Sequence, residues 1–411
     1  MTSNYDLKPL TQVCEVLSGG TPKTTVPEFW NGNIPWASVK DFNIDSRWFS
    51  KTEKSISQLG LDSCSSVLLE PGDLVISARG TVGVVGQCKM RTSFNQSNYG
   101  LRAKSALSKN DYLYYALSYA KRALIGDTHG GMFDTITRDT LDRLLIPIPT
   151  LKAQEKIAEI LGSLDMKIAV NNALSKTLEI IAQTIFKSWF IDFDPVKAKM
   201  AGKKPVGMDA ATAALFPDSL EESELGLIPK GWKVNLLGEL ITPKKGKTIT
   251  KATCVDGEVP VVAGGLQPAY FHNKANVSQP AITVSASGAN AGFVRLYLKD
   301  IWASDCSYIN YEITQTVHFW YLYLLRNQEV IYGMQQGAAQ PHIYPSDLMR
   351  LRLSYPSSID SVLKFEETVA PLFLEIGVLE RQNELLRIQR DSLLPRLISG
   401  ELQIPEEMLA S

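Results

Sequence analysis

Residues 151–190 read LKAQEKIAEILGSLDMKIAVNNALSKTLEIIAQTIFKSWF, forty positions with no proline and one glycine, Gly162. One row runs Ile157, Leu161, Leu164, Ile168, Asn171, Ser175, Leu178, Ala182, Ile185, Trp189, in steps that alternate four and three. This spacing predicts a long helix with one face turned toward a single neighbouring helix. Pro149 and Thr150 supply the start signal, and Asp194-Pro195 the stop. The C-terminal region carries the pattern a second time, in Phe365, Val369, Leu372, Ile376, Leu379, Asn383, Leu386, Arg390, Leu393 and Leu397. Ile168 and Ile376, Leu178 and Leu386, and Ile185 and Leu393 each stand 208 positions apart. Pro371 and Pro395 remove backbone donors from the second helix and should bend it. Two matched rows in one chain can cover each other as an antiparallel pair.

Working outward, the repeat extends beyond the helices. AITVSASG at 281–288 matches DLVISARG at 73–80, again 208 positions on. Ile343, Leu348, Leu351 and Pro356 match Ile136, Leu141, Leu144 and Pro149 at a spacing of 207. Trp232–Leu240 matches Tyr5–Val13, and Val259-Pro260-Val261 echoes Ile34-Pro35-Trp36. Within the first copy, Tyr5–Val13 reads as an opening strand or short helix, 34–39 and 74–78 as strands, 111–125 as an aromatic-rich helix and 144–149 as a closing strand. The order is therefore globule, helix, globule, helix: an internal duplication of a mixed α/β unit. Between the copies, 195–230 has the Pro, Gly and charge content of an extended connector.

Length and composition are consistent with that layout. A chain of 411 residues with 45% hydrophobic and 21% charged positions fits two to four soluble domains. No apolar run reaches the length of a membrane span and the N-terminus is no signal peptide, which together point to the cytoplasm. Cys14, Cys64, Cys88, Cys254 and Cys306 are scattered without a CxxC, as expected of free thiols in a reducing compartment rather than of a zinc site. The net charge of −1 excludes a polycation, but the charges are unevenly placed. There is no acid from 74 to 110, against Arg79, Lys89, Arg91, Arg102, Lys104 and Lys109. There is none from 259 to 299, against Lys274, Arg295 and Lys299, with Lys244, Lys245 and Lys247 just upstream. Acid-free stretches of this kind suggest surfaces that face a polyanion.

Motifs for catalysis are missing. Gly246-Lys247-Thr248 has the end of a P-loop, but Ile241 stands where its first glycine belongs. Asp194-Pro195-Val196 lacks the second proline and the aromatic residue of an amino-methyltransferase loop. His129, His272, His318 and His342 are isolated and read as surface or loop residues.

Several strings, in this order, resemble the specificity subunit of type I restriction–modification enzymes. They are SGGTPKT (18–24), NGNIPWASVKDF (31–42), PGDLVISARGTVG (71–83), IPIPTLKAQEKIAEIL (146–161), TIFKSWFIDFDPV (184–196), GLIPKGW (226–232), GAAQPHI (337–343) and LLPRLISGEL (393–402). The second globule departs from the pattern by ending in LSYPSS. The resemblance implies an α+β fold of two mixed α/β target-recognition domains. These are separated by two long antiparallel helices forming a coiled coil, with an internal pseudo-twofold repeat. On this reading 1–150 is the first recognition domain, 151–193 the central spacer helix and 194–231 a linker. The second recognition domain is then 232–358, and the C-terminal spacer helix 359–402. The helix seam is expected at Ile157, Leu161, Leu164, Ile168, Leu178, Ile185 and Trp189, against Leu372, Ile376, Leu379, Leu386, Leu393 and Leu397.

The resemblance also implies a role: a non-catalytic subunit that binds double-stranded DNA, each domain reading one half of a bipartite target. It implies two methyltransferase subunits docked on the helices and two motor-nuclease subunits beyond them. S-adenosylmethionine, ATP and magnesium would belong to those partners, with no cofactor or metal in this chain. A self-contained DNA-modifying enzyme with fused recognition domains is the alternative. A helix from Ile157 to Trp189 would be about 50 Å long at ~1.5 Å per residue, against about 34 Å for one turn of DNA. Reading heads at its two ends would leave unread base pairs between them. Base reading needs side chains with paired donors or acceptors on loops able to enter a groove. The candidates are Lys23, Lys40, Arg79, Gln96, Asn98 and Tyr99 in the first globule. In the second they are Lys245, Lys247, Ser287, Asn290, Gln340 and His342. Arg79 leads, because it follows a strand inside an acid-free stretch. Gly130-Gly131 and Gln335-Gln336 mark further possible contact loops.

Overall fold

The structure, a computed structural model, describes residues 4–42, 46–125, 135–337 and 341–410. They fall into two units, Met1–Asn171 with Gln382–Ser411, and Asn172–Arg381. The principal helices are α1 (Asn110–Ile125), α2 (Leu151–Phe190), α3 (Val317–Arg326) and α4 (Asp360–Ser399). Both 40-residue helices contribute to both units. Helix α4 is continuous through Pro371 and Pro395, so the prolines expected to bend it do not break it. Each removes one donor while the neighbouring bonds remain.

The strands of unit 1 are β1 (Asp6–Pro9), β2 (Cys14–Ser18), β3 (Trp30–Ala37), β4 (Trp48–Phe49), β5 (Lys54–Ile56), β6 (Leu74–Ser77), β7 (Val85–Cys88), β8 (Ser93–Phe94), β9 (Asn98–Ala103) and β10 (Leu145–Ile148). They form a sheet of order β2-β9-β6-β7-β4, a smaller one of order β5-β3-β8, and the antiparallel pair β1-β10. The LVIS of β6 is buried at all four positions, as a central strand covered on both faces requires. Tyr112 of α1, Ile76 and Leu101 share one core with Ile157 and Leu161 of α2 and Leu397 and Ile398 of α4.

In unit 2 the strands are β11 (Leu220–Ser223), β12 (Gly226–Pro229), β13 (Lys233–Leu236), β14 (Lys244–Lys245), β15 (Val259–Val262), β16 (Tyr270–His272), β17 (Ala281–Ser285), β18 (Val294–Tyr297), β19 (Trp302–Ala303), β20 (Cys306–Asn310) and β21 (Arg352–Tyr355). The sheets run β14-β20-β17-β18 and β16-β15-β19, with β13 paired to β21. This is the strand order of unit 1 without its β4.

The segment 194–231, expected to be an extended connector, is folded. It carries short helices at Asp194–Met200 and Ala210–Ala214, then the β11–β12 hairpin. Val196, Phe216 and Ile228 are buried in the unit 2 core. The reason is aromatic. Phe216 meets Trp189 edge-on with ring centroids 5.4 Å apart, and Trp232 lies 5.9 Å from Phe190. Apolar burial of this size outweighs the weak local propensity of a Pro- and Gly-containing stretch. Phe365 of α4 closes the same cluster, 5.3 Å from Phe190 and 5.8 Å from Trp189.

The helical rows are the covered faces of α2 and α4. Ile157, Leu161, Ile168, Trp189, Ile376, Leu379 and Leu397 are buried, and Leu164, Leu178, Ile185, Leu372, Leu386 and Leu393 half-buried. Asn171, Asn383 and Arg390, polar positions of the rows, have partners. In unit 1, Asn171 is buried and donates to Asn383 Oδ1 at 2.9 Å and to Gln382 Oε1 at 2.8 Å. Two turns earlier, Asp165 accepts from Arg390 at 2.7 Å and from the Tyr115 hydroxyl at 2.5 Å. As numbers fall along α2 they rise along α4, so the two segments are antiparallel within unit 1. Burial, then the charge of Asp165, raises the Tyr115 pKa and keeps that hydroxyl a donor. Arg47 completes the network. It donates to Gln87 at 2.6 Å and to Tyr115 at 3.2 Å, and pairs with Asp111. Gly162 makes the room, since a Cβ there would lie 3.2 Å from Arg47 Nη1.

Two histidines differ from expectation, being core rather than surface residues. His318 bonds Glu366 at 2.7 Å and stacks on Phe373, and His272 is buried against Trp302. His129 lies outside the described residues. Burial pushes the thiols of Cys14, Cys88 and Cys306 up to about 12, which leaves them inert at neutral pH.

Replacing Asp165 by Ala would leave Tyr115 and Arg390 without their shared acceptor in a largely buried site. Unit 1 should lose about 3 kcal/mol, the usual order for breaking such a pair. The denaturant midpoint of unit 1 should fall, with the Trp189 environment in unit 2 unchanged.

Candidate nucleic-acid interface

In unit 1 four loops gather at the ends of β2, β3, β6 and β8. The first follows β2, where Gly20 N–H donates to Phe94 O at 2.9 Å. A Cβ on Gly19 would lie 2.1 Å from Asn95 O, so the SGGTPK string needs glycine to lay its backbone against the loop before β9. Thr21 hydrogen-bonds Gln96 across the same junction. Between β3 and β5, Asp41 caps Ser38 N–H at 2.6 Å and takes Glu53 N–H at 2.6 Å. After β6, the chain turns at Gly80 with φ +78°. Lys40, Lys54 and Arg79 line one groove with Asn95 and Ser97, enclosing about 400 Å³.

The candidates divide accordingly. Lys23, Lys40, Arg79 and Gln96 are exposed on these loops. Arg79 and Lys40 form no ion pair among the described residues. Asn98 is 1% exposed and donates to Asn95 Oδ1 at 2.7 Å, so it holds the turn instead of facing a ligand. Tyr99 is half-buried in β9 and packs against the unit 1 core, which makes it a supporting residue. Lys54 was not anticipated; it stands over the Trp30 ring at 5.6 Å.

The acid-free stretch is less cationic than its composition suggests. Arg102 pairs with Asp73 at 2.6 Å, Arg91 with Glu70 at 3.0 Å and Lys109 with Glu155 at 2.8 Å. Asp73 and Glu70 sit just before the stretch in sequence and Glu155 well beyond it, and all three lie beside it in space. The groove lined by Lys40, Lys54 and Arg79 also carries Asp41 and Glu53, so its three cations stand beside two carboxylates.

Unit 2 builds the corresponding place on the same backbone frame. Ala78 N–H donates to Ser97 O at 2.8 Å in unit 1, and Ala286 N–H to Asp305 O at 3.1 Å in unit 2. Ile136 N–H reaches Ala78 O at 2.9 Å, as Ile343 N–H reaches Ala286 O at 2.9 Å. Gly288 repeats the turn of Gly80 with φ +80°. Ser287 hydrogen-bonds Asp305, Asn290 donates to Gly264 O at 3.3 Å, and His342 bridges to Ser287 and stacks on Tyr344 at 6.0 Å. Lys245 and Lys247 are exposed on the neighbouring strand end, where Gly246 N–H donates to Cys306 O at 2.8 Å. Gln335 is tied to Ala291 O at 2.8 Å and Gln336 to Asp347 at 2.9 Å, so that loop is braced from within. Gln340 and the Gly130-Gly131 loop lie outside the described residues. Asp305 was missed, although the 208-residue spacing from Ser97 marks it.

No group of metal-binding side chains occurs among the described residues, and none of their helices is long and apolar enough to cross a membrane.

The sequence profile described as "Type I restriction modification DNA specificity domain" matches residues 2–180 and 229–361. The chain is 26% identical over 431 aligned positions to the Type I restriction enzyme MjaIX specificity subunit of Methanocaldococcus jannaschii, covering 98% of this chain and 94% of that protein. It is 27% identical to the Type I restriction enzyme HindI specificity subunit of Haemophilus influenzae, over 68% of this chain and 73% of that one. In fold it is similar to the crystal structure of the S subunit of a type I restriction-modification system from M. genitalium, with a TM-score of 0.52 and 16% identity over 96% of both chains. With the profile spanning most of its length and both units carrying the same sheet order, the chain belongs to the type I restriction–modification DNA specificity family.

Proposed function

We infer that this chain is the DNA sequence-specificity subunit of a type I restriction–modification complex and that it catalyses nothing itself. One observation carries the reading. Two units of the same strand order present different side chains on the same loops, as a protein must that recognises two different sequences. The specificity-subunit names of its relatives support recognition over the self-contained enzyme.

In this reading residues 1–150 and 232–358 are target-recognition domains related by duplication and a pseudo-twofold axis, each reading one half of a bipartite duplex target. The segments 151–193 and 359–402 form an antiparallel coiled coil that sets the unread interval, and 194–231 is the folded link between them. Lys23, Lys40, Arg79 and Gln96 in one domain meet the DNA. Lys245, Lys247, Ser287, Asn290, Gln340 and His342 do so in the other. Two methyltransferase subunits dock on the helices and supply S-adenosylmethionine. Two motor-nuclease subunits bring ATP and magnesium, and the assembly works in the cytoplasm.

The helices offer such partners an apolar face. Leu385 and Ile388 of α4 are 68% and 66% exposed in unit 1, and Leu374 is 68% exposed in unit 2. Exposed leucines repeated along a helix whose opposite face is already covered fit a surface awaiting a partner.

Three outcomes test this reading. Inserting one heptad into both helices adds about 10.5 Å and should lengthen the preferred spacer by about three base pairs in a binding selection; an unchanged spacer would sink the ruler. The double change Leu385→Glu, Ile388→Glu should abolish co-purification with the methyltransferase subunits while leaving the circular dichroism spectrum intact. Lys40→Ala should weaken binding to all targets alike and reduce the log–log salt slope by about one, measured by titration at several salt concentrations.

A further inference from the structure

The two recognition units carry opposite charge at one equivalent place. The backbone bond from Ala78 to Ser97 corresponds to that from Ala286 to Asp305, which aligns Arg79 with Ser287 and Ser97 with Asp305. Both pairs stand 208 positions apart in sequence. At these two positions unit 1 has arginine and serine, and unit 2 has serine and aspartate. The turn glycines behind them adopt matching angles, φ +78° at Gly80 and +80° at Gly288, so the backbones present the two sets in the same way.

Each set has a definite hydrogen-bonding character. Arg79 is exposed, and Ser97 opposite it is small, which leaves the groove of about 400 Å³ open beside the guanidinium. Two carboxylates line the same groove, Asp41 and Glu53; Asp41 is held by two backbone N–H groups and the Ser38 hydroxyl, and neither forms an ion pair with Arg79 among the described residues. A free guanidinium fork matches a pair of acceptors such as O6 and N7 of guanine. In unit 2 the Ser287 hydroxyl donates to Asp305 Oδ2, and Oδ1 accepts no hydrogen bond among the described residues. A carboxylate gains nothing beside a phosphate, since like charges repel. On a DNA-facing loop it can contribute only by accepting from a base amino group, and it repels the O6 and O4 acceptors of guanine and thymine.

We propose that Arg79 and Asp305 are specificity-determining residues of opposite sense: Arg79 selects guanine in one half of the target, and Asp305, oriented by Ser287, selects a base that presents its amino group in the major groove, cytosine or adenine, in the other. The assignment rests on the reading of the two units as DNA-recognition domains. It goes further in giving each half-site a base class and a residue that imposes it.

The test uses the full chain assembled with its methyltransferase subunits and a pool of duplexes with randomised sequence, comparing wild type with Arg79→Ser, Arg79→Lys, Asp305→Asn and Asp305→Ser. Wild type should select a two-part motif with guanine in one half and an amino-bearing base at a fixed position in the other. Arg79→Ser should relax the guanine by about 5- to 150-fold, the discrimination of one bidentate pair, and leave the other half intact. Arg79→Lys should retain overall affinity better than Arg79→Ser yet still relax that guanine. Asp305→Asn, which keeps the shape and tolerates the Ser287 bond, should relax only the other half; it remains informative should Asp305→Ser misfold. If Arg79→Ser weakens every duplex equally with the motif unchanged, Arg79 is a phosphate contact and its assignment fails. If Asp305→Asn leaves the motif unchanged in a folded complex, the Asp305 assignment fails. If wild type selects no two-part motif, the reading of the units as recognition domains fails, and the proposal with it.

Discussion

A forty-residue helix with an apolar row along its length cannot stand in water unpaired, and this chain contains two. Each must cover its row in both units, and that requirement draws the remaining elements together. In unit 1 the first turns of α2 and the last of α4 join the core beneath β6 and β9. In unit 2 the end of α2 and the start of α4 meet α3 around Phe186, Trp189, Phe190, Phe319 and Phe365. Polar contacts choose among the packings that burial alone would permit. Asn171 against Asn383 is a buried amide pair that a shift of one turn would separate, a device that fixes register. Asp165 ties Arg390 and Tyr115 together, so one carboxylate joins both long helices to α1.

The parts legible in the sequence were those with a period. Alternating steps of four and three located α2 and α4, and the constant spacing of 208 located the second copy of β6 and its turn. What escaped depends on contacts without a period. The segment 194–231 reads as an extended connector because composition does not show that Phe216 and Trp232 have aromatic neighbours at Trp189 and Phe190. Asn98 reads as a base contact in the sequence because a polar side chain after a loop looks accessible, whereas in the fold it is buried and bonded to Asn95. The acid-free stretch overstated the positive surface because Asp73, Glu70 and Glu155 fold back onto it from outside the window.

The two units also differ where the repeat is uneven, and the difference has a mechanical content. Pro35 pairs with Ser55 in unit 1 and Pro260 with Phe271 in unit 2, so the β3–β5 connection is nine residues longer than its counterpart. That extra length carries β4 and Arg47. Arg47 brings its guanidinium against Gly162 of α2 and hydrogen-bonds Gln87 and Tyr115. In unit 2 the position of Gly162 is taken by Ala370, 208 residues on, and Ala370 lines an open apolar cleft of about 680 Å³ with Pro371 and Phe373. The frame is thus braced against its long helix by a polar plug in one unit. In the other it is braced by the Tyr321–Glu179 bond at 2.6 Å and the His318–Glu366 pair.

The division of labour between frame and loop explains how such a frame can carry different readers. The turn after β6 is closed by the backbone bond from Gly83 to Ser77 at 2.9 Å and by the Ser77 hydroxyl, which takes Val84 N–H at 2.9 Å; the turn after β17 is closed by the backbone bond from Gly292 to Ser285 at 2.8 Å and by the Gln328 and Gln335 side chains on Gly292 O and Ala291 O. None depends on the identity of the side chain at 79 or 287. A Cβ at Gly80 or Gly288 would meet nothing within 4 Å, so the positive φ, and not crowding, is what calls for glycine there. Arginine can therefore be exchanged for serine there with little effect on the fold, because an exposed loop side chain contributes only a few tenths of a kcal/mol to stability. The inward positions have no such freedom, since Ile76, Leu101, Ile282 and Ile309 are all under 2% exposed and any change of volume must be absorbed by close-packed neighbours. A sheet that fixes where a side chain stands, without constraining which side chain it is, is the physical condition for two copies of one unit to read two different sequences.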